Sequence, residues 1–146
     1  MANGLYGHGR ERFANAQIDW VDDTIKVTLI DAADYAIGAN IDVHEYMNTD
    51  TVPAAAKVAT ATLASTANAL GVCSAAATTT FSAVTGDVCE ALIIWKDGGG
   101  GGVTASGTDD VLIAYIDTVS SGLPVTPNGG DIVVTWDTGA NKIFVL

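Results

Sequence analysis

Two histidines, two cysteines, two adjacent aspartate pairs and a run of five glycines are the features of this 146-residue chain that could do chemistry. His8 or His44 would have to be the base of any Ser-His-Asp or Cys-His arrangement, yet neither is flanked by a nucleophile elbow or another hydrolase signature. His44, beside Glu45 on an expected helical turn that Asp42 could cap, reads as a surface residue. Cys73 and Cys89 have neither a Cys-x-x-Cys spacing nor a histidine cluster, so they do not make a zinc site. Cys89 reads as a small buried hydrophobe, and the spacing leaves open whether the two pair in a disulfide. Asp22-Asp23 and Asp109-Asp110 fall at expected strand starts, where neighbouring side chains point to opposite faces and cannot converge on calcium. Gly98–Gly102 would cradle phosphate only with a helix N-terminus behind it and usually a lysine; here a polar loop and a strand follow. No catalytic, metal-binding or cofactor-binding residue is therefore assigned, and the chain reads as a non-enzyme with no cofactor.

The elements that would position such groups are strands. Phe81–Val84, Val88–Lys96, Val111–Ile116, Ile132–Trp136 and Lys142–Leu146 are rich in β-branched and aromatic residues, with Gly- or Pro-Asn-Gly-containing turns between them. Thr24–Ile30 alternates Ile25, Val27 and Leu29 against Thr24, Lys26 and Thr28, which predicts a strand with one wet face. Lys57–Leu63 also reads as a strand, although its alanines favour helix. Tyr35–Asp50 reads as an excursion between strands, and Gly98–Asp110 as a long, mobile hairpin tip or surface loop. Trp95 and Trp136 lie in strongly apolar strands and are expected in the core rather than on a carbohydrate-binding platform. About seven or eight short strands imply an all-β, single-domain β-sandwich or jelly-roll-like barrel. The final strand, ending at Leu146, is expected to pair within the sheet or against a neighbour.

Val88–Trp95 and Val111–Ile116 are apolar on both faces, whereas a two-sheet sandwich needs only one apolar face per strand. The spare face must meet the N-terminal segment, an inserted loop or another copy, and this motivates a homo-oligomer, with a homotrimer expected. Residues 1–17 read as an N-terminal arm or short helix and residues 18–146 as the β domain. The arm holds His8, Arg10 and Arg12, while 16 of the 17 acidic residues lie beyond Arg12, so the arm is the expected docking element. A net charge of −11 argues against nucleic acid as a partner. The alanine-rich run Val52–Ala77 is interrupted by Lys57 and many hydroxyl residues, which argues against a membrane span. The polar, glycine-rich start predicts a chain made and used without Sec export.

Several segments carry a resemblance. Met1–Tyr6, Gly9–Phe13, Ile18–Trp20 and Asp23–Val27 are similar to a group of small proteins encoded by tailed bacteriophages. So are Phe81–Asp87, Glu90–Asp97, Ile113–Thr118, Gly122–Asp131, Trp136-Asp137 and Asn141–Phe144. The resemblance implies a structural component of the virion, best fitted by a capsid cement (decoration) protein on the outer capsid surface, with the major capsid protein as partner. With the arm as the docking element, Leu5, Tyr6, His8, Arg10, Arg12 and Phe13 become the expected capsid contacts. The rival from another class is a tail-associated or surface-exposed carbohydrate- or receptor-binding module with the glycine loop as its tip.

Overall fold

The computed structural model describes residues 3–38, 40–102, 108–140 and 142–146. Met1, Ala2, Ala39, Asn141 and the stretch 103–107 of the expected loop lie outside the described residues. The fold is all-β with one short helix, and every strand pairing among the described residues is antiparallel.

Five strands form the main sheet: β1 (Gly4–Leu5), β2 (Ile25–Ile30), β3 (Lys57–Thr62), β7 (Ala91–Lys96) and β8 (Val111–Ile116), in the order β1-β8-β7-β2-β3. A second sheet holds β4 (Ala67–Ala69), β5 (Val72–Ser74) and β10 (Phe144–Val145), and β6 (Thr78–Phe81) pairs with β9 (Ile132–Thr135) in a third. The helix α1 (Gly7–Ala14) lies against β8.

The alternation of β7 explains the layering. Leu92 and Ile94 face one core with Ile25, Val27, Leu29 and Ile113, closed on its other side by Cys73, Phe81 and Trp136 from the two smaller sheets and by Trp20. Ala91, Ile93 and Trp95 face a second core with Tyr6, Ile30, Leu112 and Tyr115, covered by Tyr35, Ile37, Met47, Val52 and Ala56 of the 31–56 excursion. Both faces of the central strands are thus buried within one chain. The spare apolar face that motivated a second copy is covered by the inserted loop and the N-terminal segment.

The same excursion overturns the wet face expected for β2. Thr28 is fully buried; its hydroxyl accepts the Trp95 indole N–H at 2.9 Å and lies 2.8 Å from the Thr60 hydroxyl. A buried hydroxyl bonded on both sides satisfies its polar atoms, so threonine does not mark solvent here.

Other boundaries shift. The strand expected at Phe81–Val84 is Thr78–Phe81 instead, because Ala83, with φ +51, breaks the extended backbone; beyond that break Val84 N–H donates to the carbonyl of the distant Gly130. No helical turn forms at residues 43–47: Tyr46 bridges to Val111, and Met47 N–H donates to the Asp110 carbonyl. Cys73 and Cys89 are both buried and unpaired, and burial pushes each thiol up to about 11.

Candidate functional site

The N-terminal segment is not a free arm. Gly4 and Leu5 pair with Tyr115 and Ala114, and Tyr6 N–H donates to the Ile113 carbonyl at 2.9 Å. Tyr6 is 0% exposed, so it packs the chain's own core and is not available as a capsid contact. Leu5 and Phe13 are half-buried against the first core, Phe13 meeting Phe144 edge-on at 6.2 Å. The helix can approach β8 so closely because residue 9 is glycine. A Cβ there would lie 2.6 Å from the Leu112 carbonyl oxygen and 3.1 Å from Ile113 Cα.

The basic residues of this segment are matched by acids on the 31–56 excursion. Arg10 pairs with Asp42 at 2.8 Å. Arg12 donates to Glu45 and, at 2.7 Å, to the Tyr46 hydroxyl, and its guanidinium stacks over the Tyr46 ring. Burial raises the Glu45 carboxyl, but the hydrogen bonds from Arg12 and Tyr46 outweigh it and hold the group below its ordinary range. His8 sits 3.4 Å from Glu11 one turn along. The charge contrast that suggested docking outward is spent on holding the helix to its own domain; of the six expected contacts, Arg10 is the one with an exposed side chain.

The glycine run is also anchored. Asp97 Oδ1 accepts Gly99 N–H at 2.8 Å and Gly101 N–H at 3.4 Å, while Asp110 accepts Gly98 N–H at 2.9 Å through Oδ1 and Gly102 N–H at 2.6 Å through Oδ2. The backbone donors that could have gripped a phosphate are turned onto the chain's own carboxylates. Gly98, Gly99 and Gly101 are exposed, as a surface loop requires, whereas Gly102 is buried beside Trp95 and Met47 and ties the run to the domain. Lys57 closes the arrangement by donating to the carbonyls of Met47, at 2.8 Å, and Gly102. Burial pulls its ammonium down to about 8, with Asp110 opposing. Asp97 also binds Lys26 at 2.5 Å, and that bond holds its carboxyl below the ordinary range. The aspartates therefore serve as loop anchors. Among the described residues, no group of three His, Cys, Asp or Glu side chains could hold a metal ion, and no helix is long and apolar enough to cross a membrane.

His44 is half-buried rather than on the surface. Its Nδ1 lies 2.7 Å from the Tyr35 hydroxyl, which in turn lies 3.1 Å from the Tyr6 hydroxyl. The chain ends inside the second core with no nucleophile attached, so it ties the excursion to the N-terminal segment.

What sequence reasoning missed is an apolar tip. β4 and β5 form a hairpin whose two-residue turn is Leu70-Gly71, with φ +54 and +82. Asn-Gly is the usual chemistry of that turn, and a leucine there is strained. Leu70 is nevertheless 102% exposed, and Leu146, whose N–H donates to the Gly71 carbonyl at 2.9 Å, is 49% exposed beside it. Val145, paired with Val72, is also exposed on the β10 side, and β4, on the other side of β5 and exposed along its length, leaves one backbone edge of its sheet open. The available signal was one large apolar residue before glycine in a run of small polar ones. No protein-family model matches this chain, and no curated protein does.

Proposed function

We propose that the chain is a non-enzymatic virion structural protein that binds the outer surface of an assembled phage capsid and reinforces contacts between capsomers. The major capsid protein is its partner. The observation that carries the reading is the strained, fully exposed Leu70 at the β4–β5 turn, in a sheet flanked on one side by the open β4 edge and on the other by the exposed Val145 and Leu146 of the β10 end. A large apolar side chain held in the left-handed region gives the isolated domain nothing in return, and such outliers persist where a surface has a task. An open edge can add backbone bonds to a neighbouring strand. The net charge of −11 keeps the free chain dispersed until it docks. Binding to the finished shell then stabilises that shell by mass action.

The docking element in this reading is the hairpin tip rather than the N-terminal segment, whose candidate contacts are committed to the domain itself. The carbohydrate-module rival loses its platform, since Trp20, Trp95 and Trp136 are all buried. The test is to mix purified protein with expanded heads of the phage that encodes it, heads lacking the protein, and to follow co-sedimentation and heat resistance. Saturable binding that raises the rupture temperature is expected, with Leu70→Asp folded but defective. Absence of binding to expanded heads overturns the proposal.

A further inference from the structure

A cleft of about 530 Å³ opens between the start of the 31–56 excursion and the segment after β8. Ala36, Ile37, Leu123 and Pro124 give it apolar walls, and Glu90, Asp117, Tyr115 and Thr118 are the polar side chains that line it. No Lys, Arg or His is among the described residues that line it. Glu90 is held in place by accepting Ala32 N–H through Oε2 at 2.9 Å, and Asp117 Oδ1 accepts the Thr118 hydroxyl at 2.9 Å.

Tyr115 is the decisive residue. It is 3% exposed, it lines the cleft, and no hydrogen bond joins its hydroxyl to any described residue. The two other tyrosines of the second core, Tyr6 and Tyr35, are both hydrogen-bonded through their hydroxyls. Among the described residues Arg12 Nε is the one enclosed polar side-chain atom without a partner, so the Tyr115 hydroxyl is reached by solvent through the cleft and stands open to an outside group. Burial, then the charges of Asp117 and Glu90, raise its ionisation, so the hydroxyl stays protonated and its oxygen can accept.

We propose that this cleft receives a basic side chain, lysine or arginine, from a protein partner: the aliphatic stem lies on Ile37, Leu123 and Pro124, and the cationic head meets Glu90 and the Tyr115 hydroxyl. The apolar wall matches a methylene stem with a charged end. A divalent metal is a poor fit, because calcium asks for six to eight oxygens and no group of three acidic or other ligating side chains gathers among the described residues. The acidic surface draws cations toward the cleft. The inference holds whatever the partner's identity, and so stands apart from the capsid reading.

The test uses the full chain, isotope-labelled, and three blocked tripeptides of glycine around lysine, arginine or norleucine. The lysine or arginine peptide is expected to shift the amide signals of Ala32, Ile37, Tyr115 and Thr118 saturably, while the uncharged norleucine peptide does not. Glu90→Gln keeps an oxygen for Ala32 N–H but removes the charge, and should weaken binding about fivefold, the scale of a partly exposed ion pair. Tyr115→Phe keeps the ring in the core and should weaken it as well. Equal shifts from norleucine, no shifts from either basic peptide, or undiminished binding by a folded Glu90→Gln protein would overturn the proposal.

Discussion

Asp110 accepts the backbone N–H of Gly102 at 2.6 Å through one carboxylate oxygen while the other takes Gly98 at 2.9 Å. One buried side chain thus holds both ends of the five-glycine run, through backbone donors alone. Replacing it orphans two backbone donors, one of them on the buried Gly102. Asp110→Ala is expected to lower the unfolding free energy by about 2–4 kcal/mol, since bonds to a charged acceptor and the stranded donor both count. Urea unfolding measures this, and a change below about 0.5 kcal/mol, the range of ordinary surface substitutions, would contradict the anchoring role.

Deleting residues 1–12 should not leave a folded β domain. The deletion removes the strand paired to β8 and Tyr6, which is fully buried in the second core. Loss of a buried aromatic side chain alone costs about 3–5 kcal/mol. Circular dichroism and thermal unfolding of the truncated chain decide the matter; a cooperative transition at the full-length temperature would show the segment to be dispensable.

Gly9→Ala isolates the helix docking. Backbone atoms of Leu112 and Ile113 occupy the place of the added methyl, so the helix must lift from β8. Helix propensity alone would make alanine favourable by up to about 1 kcal/mol, whereas overpacking against backbone costs about 1–3 kcal/mol. A net loss of stability is expected, and a gain would mean that the helix does not rest on the sheet.

Acid should weaken the fold in two stages. Burial lowers the His44 imidazole below its ordinary 6.5, so the unfolded chain binds the proton first and stability falls as pH drops through 6.5 and on through the lower native value. Asp97 and Glu45 are also held below their ordinary values, so their contributions are present above the usual carboxylate range and disappear at still lower pH. Unfolding midpoints between pH 7.5 and 3, on the order of ten points, would trace both stages, and an NMR titration of His44 above 6.5 would contradict the first.

Leu70→Asn separates docking from folding. Asparagine tolerates the left-handed turn better than leucine, and Leu70 is fully exposed, so stability should be unchanged or slightly higher. Attachment to expanded heads should fall. A marked drop in stability would assign the leucine to the fold instead of to a partner.

Much of the strand content was legible from local pattern. Ile25–Ile30, Ala91–Lys96 and Val111–Ile116 announce themselves by β-branched and aromatic composition, and Trp95 and Trp136 by the strands that carry them. Double-sided apolarity also showed that something must cover the second face of β7 and β8. What covers it was a question of tertiary structure, because an inserted loop and a second copy satisfy the same periodicity. The fold answers with residues 31–56, whose Tyr35, Ile37, Met47 and Val52 are spaced too irregularly to declare a buried face.

Charge was equally ambiguous: Arg10 and Arg12 look like a docking patch until Asp42 and Glu45, more than thirty residues away, are brought beside them. The glycines carry no side chain to reveal their partners, so only the placement of Asp97 and Asp110 decides that the run is anchored. A sequence fixes which groups each strand presents to its two faces, because alternation is a local property of extended backbone. Which distant groups meet them depends on how the connections pack, and that is decided only when the whole chain closes on itself.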